Sequence, residues 1–247
     1  MTPSVAVADL TFSYPGGHRA LDGIDLTVQA GERVAVFGPN GAGKTTFVLH
    51  LNGIHRPERG TVSIEGIELD DNTVMEIRRR VGLVFQDPDD QLFMPTVRQD
   101  VAFGPANFGI KGDELDERVA EALDMVGMID AIDRAPHHLS LGERRRVAIA
   151  TVIASQPEIL ILDEPSSNLD PASRREVADI LKGLDVTILL VTHDLPYALE
   201  LCERAVIMNG GRLVADGGTA EILSDARLMA ANRLELPFGF DPRTVRR

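Results

Sequence analysis

The fold of this chain turns on one stretch, Arg33-Val34-Ala35-Val36-Phe37-Gly38-Pro39-Asn40-Gly41-Ala42-Gly43-Lys44-Thr45. Residues 33–37 form a short apolar run suited to a strand buried on both faces. Residues 44–52 have the length and composition of a helix. The segment between them follows the pattern G-x-x-x-x-G-K-[ST]. Its glycines let successive backbone N–H groups turn inward and form a nest for an anion. The helix N-terminus adds its partial positive charge. Lys44 contributes a full charge to the β- and γ-phosphates of a nucleotide, and the Thr45 hydroxyl is placed to ligate Mg²⁺. A chance Gly-rich turn is the alternative, and the strand before and helix after argue against it. The motif implies a nucleotide phosphate without saying which machine uses it.

Further along, Ile159-Leu160-Ile161-Leu162-Asp163-Glu164 sets four apolar residues before two acids. A buried strand here delivers Asp163 to the C-terminal edge of a sheet, where it can hold the water shell of Mg²⁺. Glu164 lies one step beyond and is placed to polarise an attacking water. Taken alone, the pair could be a solvated acidic turn; the phosphate loop upstream favours the chemical reading.

Around these two anchors the pattern alternates. Residues 5–12 and 24–28 read as strands about the turn Tyr14-Pro15-Gly16-Gly17, and 61–64 and 81–85 as further strands, with a turn and helix over 70–80. From 87 to 157 the strand signal nearly vanishes, and 114–126 and 141–154 read as helices. Strand–helix alternation then returns over 159–163, 171–183, 186–191, 194–202 and 205–208. This spacing implies right-handed parallel crossovers and an α/β sheet, interrupted by a helical insertion. The expected division is 1–86 and 158–234 as α/β core, 87–157 as helical subdomain, and 235–247 as a loosely packed tail.

Composition narrows the function classes. Charged residues give a net −13, a surface unsuited to nucleic acid, which requires clustered Lys and Arg. It is equally unsuited to direct adhesion on anionic lipid. No apolar run approaches the roughly 20 residues of a membrane span. Together with the absence of a leader sequence and a lone cysteine, Cys202, this leads to an expected cytoplasmic location, any membrane role coming through a partner.

These residues are joined by others that carry a resemblance. The chain is identified as a member of the ATP-binding cassette (ABC) ATPases, over nearly its whole length. Leu139-Ser140-Leu141-Gly142-Glu143 resembles the family signature at the start of a helix. Gln86 matches the Q-loop glutamine, Ser167-Asn168-Leu169-Asp170 the D-loop, and Thr192-His193-Asp194 the switch histidine. Tyr14 sits where the family stacks an aromatic ring on adenine, although it could equally be a partly buried core aromatic. The signature departs from its commonest form, with Leu141 for glycine and Glu143 for glutamine, which bears on helix entry and dimer affinity.

The resemblance implies an α/β fold with a RecA-like core, an N-terminal antiparallel β-subdomain and the inserted helices. It also implies ATP and Mg²⁺. The nucleotide would be held by Gly38, Asn40, Gly41, Gly43, Lys44, Thr45 and Thr46 and by Tyr14. Ser140, Gly142 and Glu143 would reach it from the opposite subunit of a dimer. Lys44, Gln86, Glu164 and His193 would act in catalysis, with Thr45, Gln86 and Asp163 around Mg²⁺. His193 would contact the γ-phosphate and the attacking water; a surface histidine after a strand is the plainer alternative.

Asp87-Pro88-Asp89-Asp90-Gln91-Leu92-Phe93 and Val101-Ala102-Phe103-Gly104-Pro105 look like the energy-coupling-factor importers, in particular their cobalt and nickel ATPases. That likeness implies a transmembrane coupling protein and a substrate-binding membrane protein as partners, and a place at the cytoplasmic face of the membrane. Cobalt is the first cargo, nickel the next, and biotin or another vitamin the alternative. Leu92, Phe93 and Met94 are expected to form a docking patch, or else a small local core. The adjacent His137 and His138 are expected to point to opposite sides of an extended segment. Arg144, Arg145 and Arg146 are expected to make ion pairs on a helix face and frame the nucleotide. Soluble ABC ATPases of chromosome maintenance insert long coiled coils before the signature, and this chain has none.

Overall fold

A computed structural model describes residues 2–244. At its centre, β3 (Arg33–Phe37) lies between β8 (Thr187–Val191) and β9 (Arg204–Asn209), parallel to both. The sheet continues through β7 (Ile159–Asp163) to β6 (Val81–Val84), also parallel. Only β10 (Arg212–Gly218), on the far edge, runs antiparallel, so the order is β10-β9-β3-β8-β7-β6.

The strands inside this sheet are predominantly apolar because each face has its own core. Ala35, Phe37, Leu160, Leu162, Ile188, Leu190 and Ile207 point into one. Val34, Val36, Ile159, Ile161, Leu189, Val191 and Met208 point into the other. The alternation is that of a strand, and burial on both sides leaves no polar position to reveal it.

The second core is roofed by an antiparallel sheet ordered β2-β1-β4-β5. Its strands are β1 (Val5–Ser13), β2 (Arg19–Val28), β4 (Arg59–Ile64) and β5 (Ile67–Glu68). The expected turn closes the β1–β2 hairpin: the N–H of Gly17 donates to the carbonyl of Tyr14 at 3.0 Å. Between the two sheets runs α1 (Lys44–Leu51), burying Phe47, Val48 and Leu51. A short helix, α2 (Val74–Arg80), leads into β6.

The first core takes in the helices that lie between β6 and β7. They are α3 (Val97–Asn107), α4 (Asp113–Met125) and α5 (Leu141–Ile153). The sequence reading missed α3, whose Gly104 and Pro105 speak against a helix. Thr96 caps its N-terminus, accepting from the N–H of Gln99 at 3.3 Å, and Val97 and Val101 bury one side. Beyond β7 come α6 (Pro171–Gly183), α7 (Leu195–Leu201), α8 (Thr219–Ser224) and α9 (Ala226–Ala231).

Three expectations are corrected. The tail is packed rather than loose as far as residue 244: Leu236 and Phe240 lie against the first core and Pro242 is buried, although Phe238 is fully exposed. Residues 245–247 lie outside the described residues. His137 and His138 occupy a 3₁₀ turn, not an extended segment, and their rings stand 4.2 Å apart. Among the described residues no three His, Cys, Asp or Glu side chains gather to hold a metal, and no helix is long and apolar enough to cross a membrane. Finally, the three arginines do not share a role. Arg144 pairs with Asp89 and Arg146 with Glu176. Arg145 is buried and donates to the carbonyl of Phe85 at 3.0 Å. None of the three lines the cleft described next.

Candidate active site

Two glycines of the phosphate loop are dictated by close backbone approach. Gly38 has φ 146°, and a Cβ there would meet the carbonyl oxygen of Met208 at 2.1 Å. Gly43 has φ 97°, and a Cβ would meet the carbonyl of Ala20 at 2.5 Å. The loop is thereby pressed between β9 and β2 and opens into α1. The Nζ of Lys44 curls back to donate to the carbonyls of Gly38 (2.7 Å) and Pro39 (3.1 Å). Burial pulls its pKa below the usual lysine range, while Glu164 and Asp163 oppose that shift.

Residues 38–46 form the floor of a cleft of about 620 Å³. Its walls bring together Gln86, Asp163, Glu164 and His193, together with Arg233 and Leu234. Three strand ends meet there because β6, β7 and β8 are parallel and finish on one edge, the edge at which open α/β sheets bind ligands. Thr45 donates its hydroxyl to Oδ2 of Asp163 at 2.9 Å. Burial pushes the Asp163 carboxyl above its ordinary range; the Thr45 hydrogen bond pulls it down, Glu164 raises it, and Lys44 lowers it. A hydroxyl and a buried carboxylate this close are hard oxygen donors of the kind Mg²⁺ takes while keeping waters and phosphates as its other ligands. The corner therefore fits that ion.

Glu164 is held in a left-handed conformation, φ 51°, so its side chain leaves the strand direction of Asp163. Its Oε2 accepts from the hydroxyl of Thr192 and the backbone N–H of His193, each at 3.2 Å, and lies 2.8 Å from Nδ1 of His193. One carboxylate oxygen is thus fixed by the switch segment, and the other has no protein partner among the described residues. The segment is anchored in turn. Arg174 of α6 grips Asp194 through two hydrogen bonds, 2.7 and 3.0 Å, and Asp194 caps α7.

Gln86 follows β6 and is exposed at the cleft. The segment around it is tied to α5. Beside the Arg145–Phe85 bond, Gln91 donates to the carbonyl of Ala148 (2.8 Å) and the hydroxyl of Thr151 (2.7 Å), and accepts from the N–H of Phe85 (3.1 Å). Tyr14 does not line the cleft. It is partly exposed, edge-on to Phe12 and His55, and its hydroxyl lies 3.0 Å from that of Thr46.

Ser140, Gly142 and Glu143 also do not line this cleft. They begin α5, where Ser140 and Glu143 form a reciprocal capping box. The Ser140 hydroxyl accepts from the N–H of Glu143 at 3.3 Å, and the Glu143 carboxylate accepts from the N–H of Ser140 at 2.7 Å. The backbone N–H of Ser140 holds the Glu143 carboxyl below its ordinary range. Glutamate at this position therefore caps the helix, which accounts for helix entry despite the departure from the commonest signature. Gly142 is required by packing, since a Cβ would meet the hydroxyl of Ser173 on α6 at 2.4 Å.

The apolar trio is divided. Leu92 is buried in the core, Phe93 is 61 % exposed, and Met94 is half-buried. Phe93 meets the partly exposed Phe103 of α3 edge to face, ring centroids 5.0 Å apart. Sequence reasoning missed Arg233 and Leu234 altogether, because they arrive from beyond the last strand and belong to no motif.

Comparison with known proteins agrees with this geometry. The profile of the ABC transporter family matches residues 21–167. A Streptomyces coelicolor protein, named provisionally as an ABC transporter ATP-binding protein, is 68 % identical over 98 % of this chain and 94 % of its own length. The energy-coupling factor transporter ATP-binding protein EcfA of Methanothermobacter thermautotrophicus is 50 % identical, covering 94 % of this chain and 76 % of its own. Among solved structures, cbiO1 of Clostridium perfringens, part of the ABC transporter complex cbiONQ, superposes with a TM-score of 0.83 at 36 % identity, covering 96 % of this chain and 97 % of its own. With the phosphate loop, the paired acids and the switch histidine meeting in one cleft, the chain belongs to the ATP-hydrolysing subunits of ABC transporters, on their energy-coupling-factor branch.

Proposed function

We propose that the chain powers import of a transition-metal ion, cobalt first and nickel next, by hydrolysing Mg·ATP between two ATPase subunits seated on membrane partners. The observation that carries the hydrolytic half is the fixing of Glu164. Its Oε2 is occupied by Thr192 and His193, which leaves Oε1 to accept a proton from a water attacking the terminal phosphate. His193 orients that carboxylate. Lys44 leaves the loop carbonyls of Gly38 and Pro39 for the phosphates, and the backbone N–H groups of residues 38–46 receive them. Thr45 and Asp163, with Gln86, would hold Mg²⁺, which when bound would neutralise charge developing on the phosphate oxygens. Tyr14, beside Thr46, serves the adenine side.

The second subunit follows from where the signature lies. Ser140 and Gly142 are outside their own cleft, at a helix N-terminus whose N–H groups and dipole suit a phosphate. A copy of the chain, or a close relative, supplies them to the triphosphate bound opposite, which closes the site to water. Residues 87–157 are read as the subdomain that moves with this closure, and the Phe93–Phe103 pair as the seat of a membrane coupling protein. The chain then works at the cytoplasmic face of the membrane through that partner. The cargo reading rests on the likeness of residues 87–93 and 101–105 to the cobalt and nickel ATPases.

Replacing Glu164 by Gln tests the hydrolytic role. Turnover should fall at least about a hundredfold, the lower end for loss of a positioned base, with ATP binding retained by titration. Turnover within a few-fold of the native rate would overturn it.

A further inference from the structure

Helix α9 ends in a Schellman motif. The N–H of Leu234 donates to the carbonyl of Met229 at 2.9 Å, and that of Arg233 to the carbonyl of Ala230 at 3.2 Å. The residue at the centre of this motif adopts the left-handed conformation and is usually glycine. Here it is Arg233, at φ 54°. A β-carbon in this region is disfavoured, so the backbone gains nothing from arginine, and the reason for it lies in the side chain.

Arg233 is one of the residues that line the proposed nucleotide cleft. The turn is pinned there by Asn209 at the end of β9, which donates to the side-chain oxygen of Asn232 at 3.0 Å. Asn232 in turn donates to the carbonyl of Leu228 at 2.9 Å. The next stretch of chain is pinned to the phosphate loop: the N–H of Gly211 donates to the carbonyl of Ala42 at 3.1 Å. Arg233 is exposed, and among the described residues its guanidinium has no carboxylate or carbonyl partner.

Charge in the cleft completes the case. Asp163 and Glu164 supply two negative side chains, and a triphosphate adds several negative charges more. Lys44 is the phosphate loop's one cation, and Arg233 is the other lysine or arginine lining the cleft. We propose that Arg233 is a nucleotide-binding residue, its guanidinium contacting the phosphate chain from the segment that follows α9. The segment lies outside the residues matched by the family profile, 21–167. Leu234, its neighbour, also lines the groove beneath the C-terminal residues Phe240 and Pro242.

The inference rests on the nucleotide site proposed above, and one set of titrations separates the two. The probes are Mg·ADP and a Mg-bound β,γ-imido ATP analogue, which is not hydrolysed. Arg233→Gly is the informative variant, because glycine suits the left-handed turn. Its melting temperature should equal or exceed the native value, while the imido analogue binds about tenfold more weakly, a factor worth 1.4 kcal/mol. Arg233→Lys should recover most of the loss, and the deficit should shrink at high salt as screening takes hold. Native-like affinity in Arg233→Gly, or a loss that Lys does not restore and salt does not change, would overturn the inference. If native protein and Lys44→Ala both failed to bind either probe, the nucleotide site itself would be wrong.

Discussion

Burial disfavours charge on the Asp163 carboxyl, and the consequence is measurable without substrate. Its pKa is raised in the folded state, chiefly by burial. As pH climbs past the ordinary carboxylate range, the unfolded chain releases this proton before the folded one does. The folded state then binds more protons, so stability falls across that window and stays lowered above it. Asp163→Asn removes the charge and keeps an oxygen for the Thr45 hydroxyl. Nucleotide-free, the variant should melt higher at neutral pH, and the difference should vanish under acid. A scan showing the variant less stable at neutral pH would contradict this. Both acids were legible as a pair after an apolar run. The positive φ of Glu164 and its three contacts to Thr192 and His193 were not, since those contacts come from another strand. Arg233 left no mark in the sequence because its signal is conformational: an arginine in a glycine's place cannot be seen before the helix end is known.

Elements were legible wherever one periodicity ruled. The spans of β3, β7 and α6 agree with the sequence reading residue for residue. Helix α3 was hidden by Gly104 and Pro105, and β10 by a run of glycines around a solvent-facing edge strand; in both, tertiary contacts outweigh local preference. The segment before α3 was half understood. Asp100 is buried in α3 and accepts from the backbone N–H groups of Phe93 and Met94, each at 3.0 Å. This anchor turns Leu92 inward and leaves Phe93 outside, so the exposed ring is held in place rather than left over. Phe93→Asp therefore alters the surface and not the core. It should keep the ATPase activity and melting temperature of the isolated subunit while abolishing co-purification with the membrane coupling protein. A complex that survives this change would show that the Phe93–Phe103 pair is not the seat.

At the scale of the whole molecule, one cleft holds the phosphate loop, both acids and the switch histidine, while the signature stands apart from it on α5. Links between the two parts run within the chain. Arg145 and Gln91 tie α5 to the segment of Gln86, and Gly142 packs the start of α5 against Ser173 of α6. On the function proposed above, such ties would carry a change beside the γ-phosphate to the helices. The motif order in the sequence foretold the parts but not the ties, which depend on a buried arginine that read as a surface charge. On the function proposed above, Ser140 serves a cleft on a second subunit, and the molecule, at 26.8 kDa, would be half of a working site. The most direct measurement is the mass of Glu164→Gln by light scattering, with and without saturating Mg·ATP. The mass should double with nucleotide, and should not do so when Ser140→Arg is added to block the signature. A mass that stays that of a single chain at full nucleotide occupancy would contradict the account.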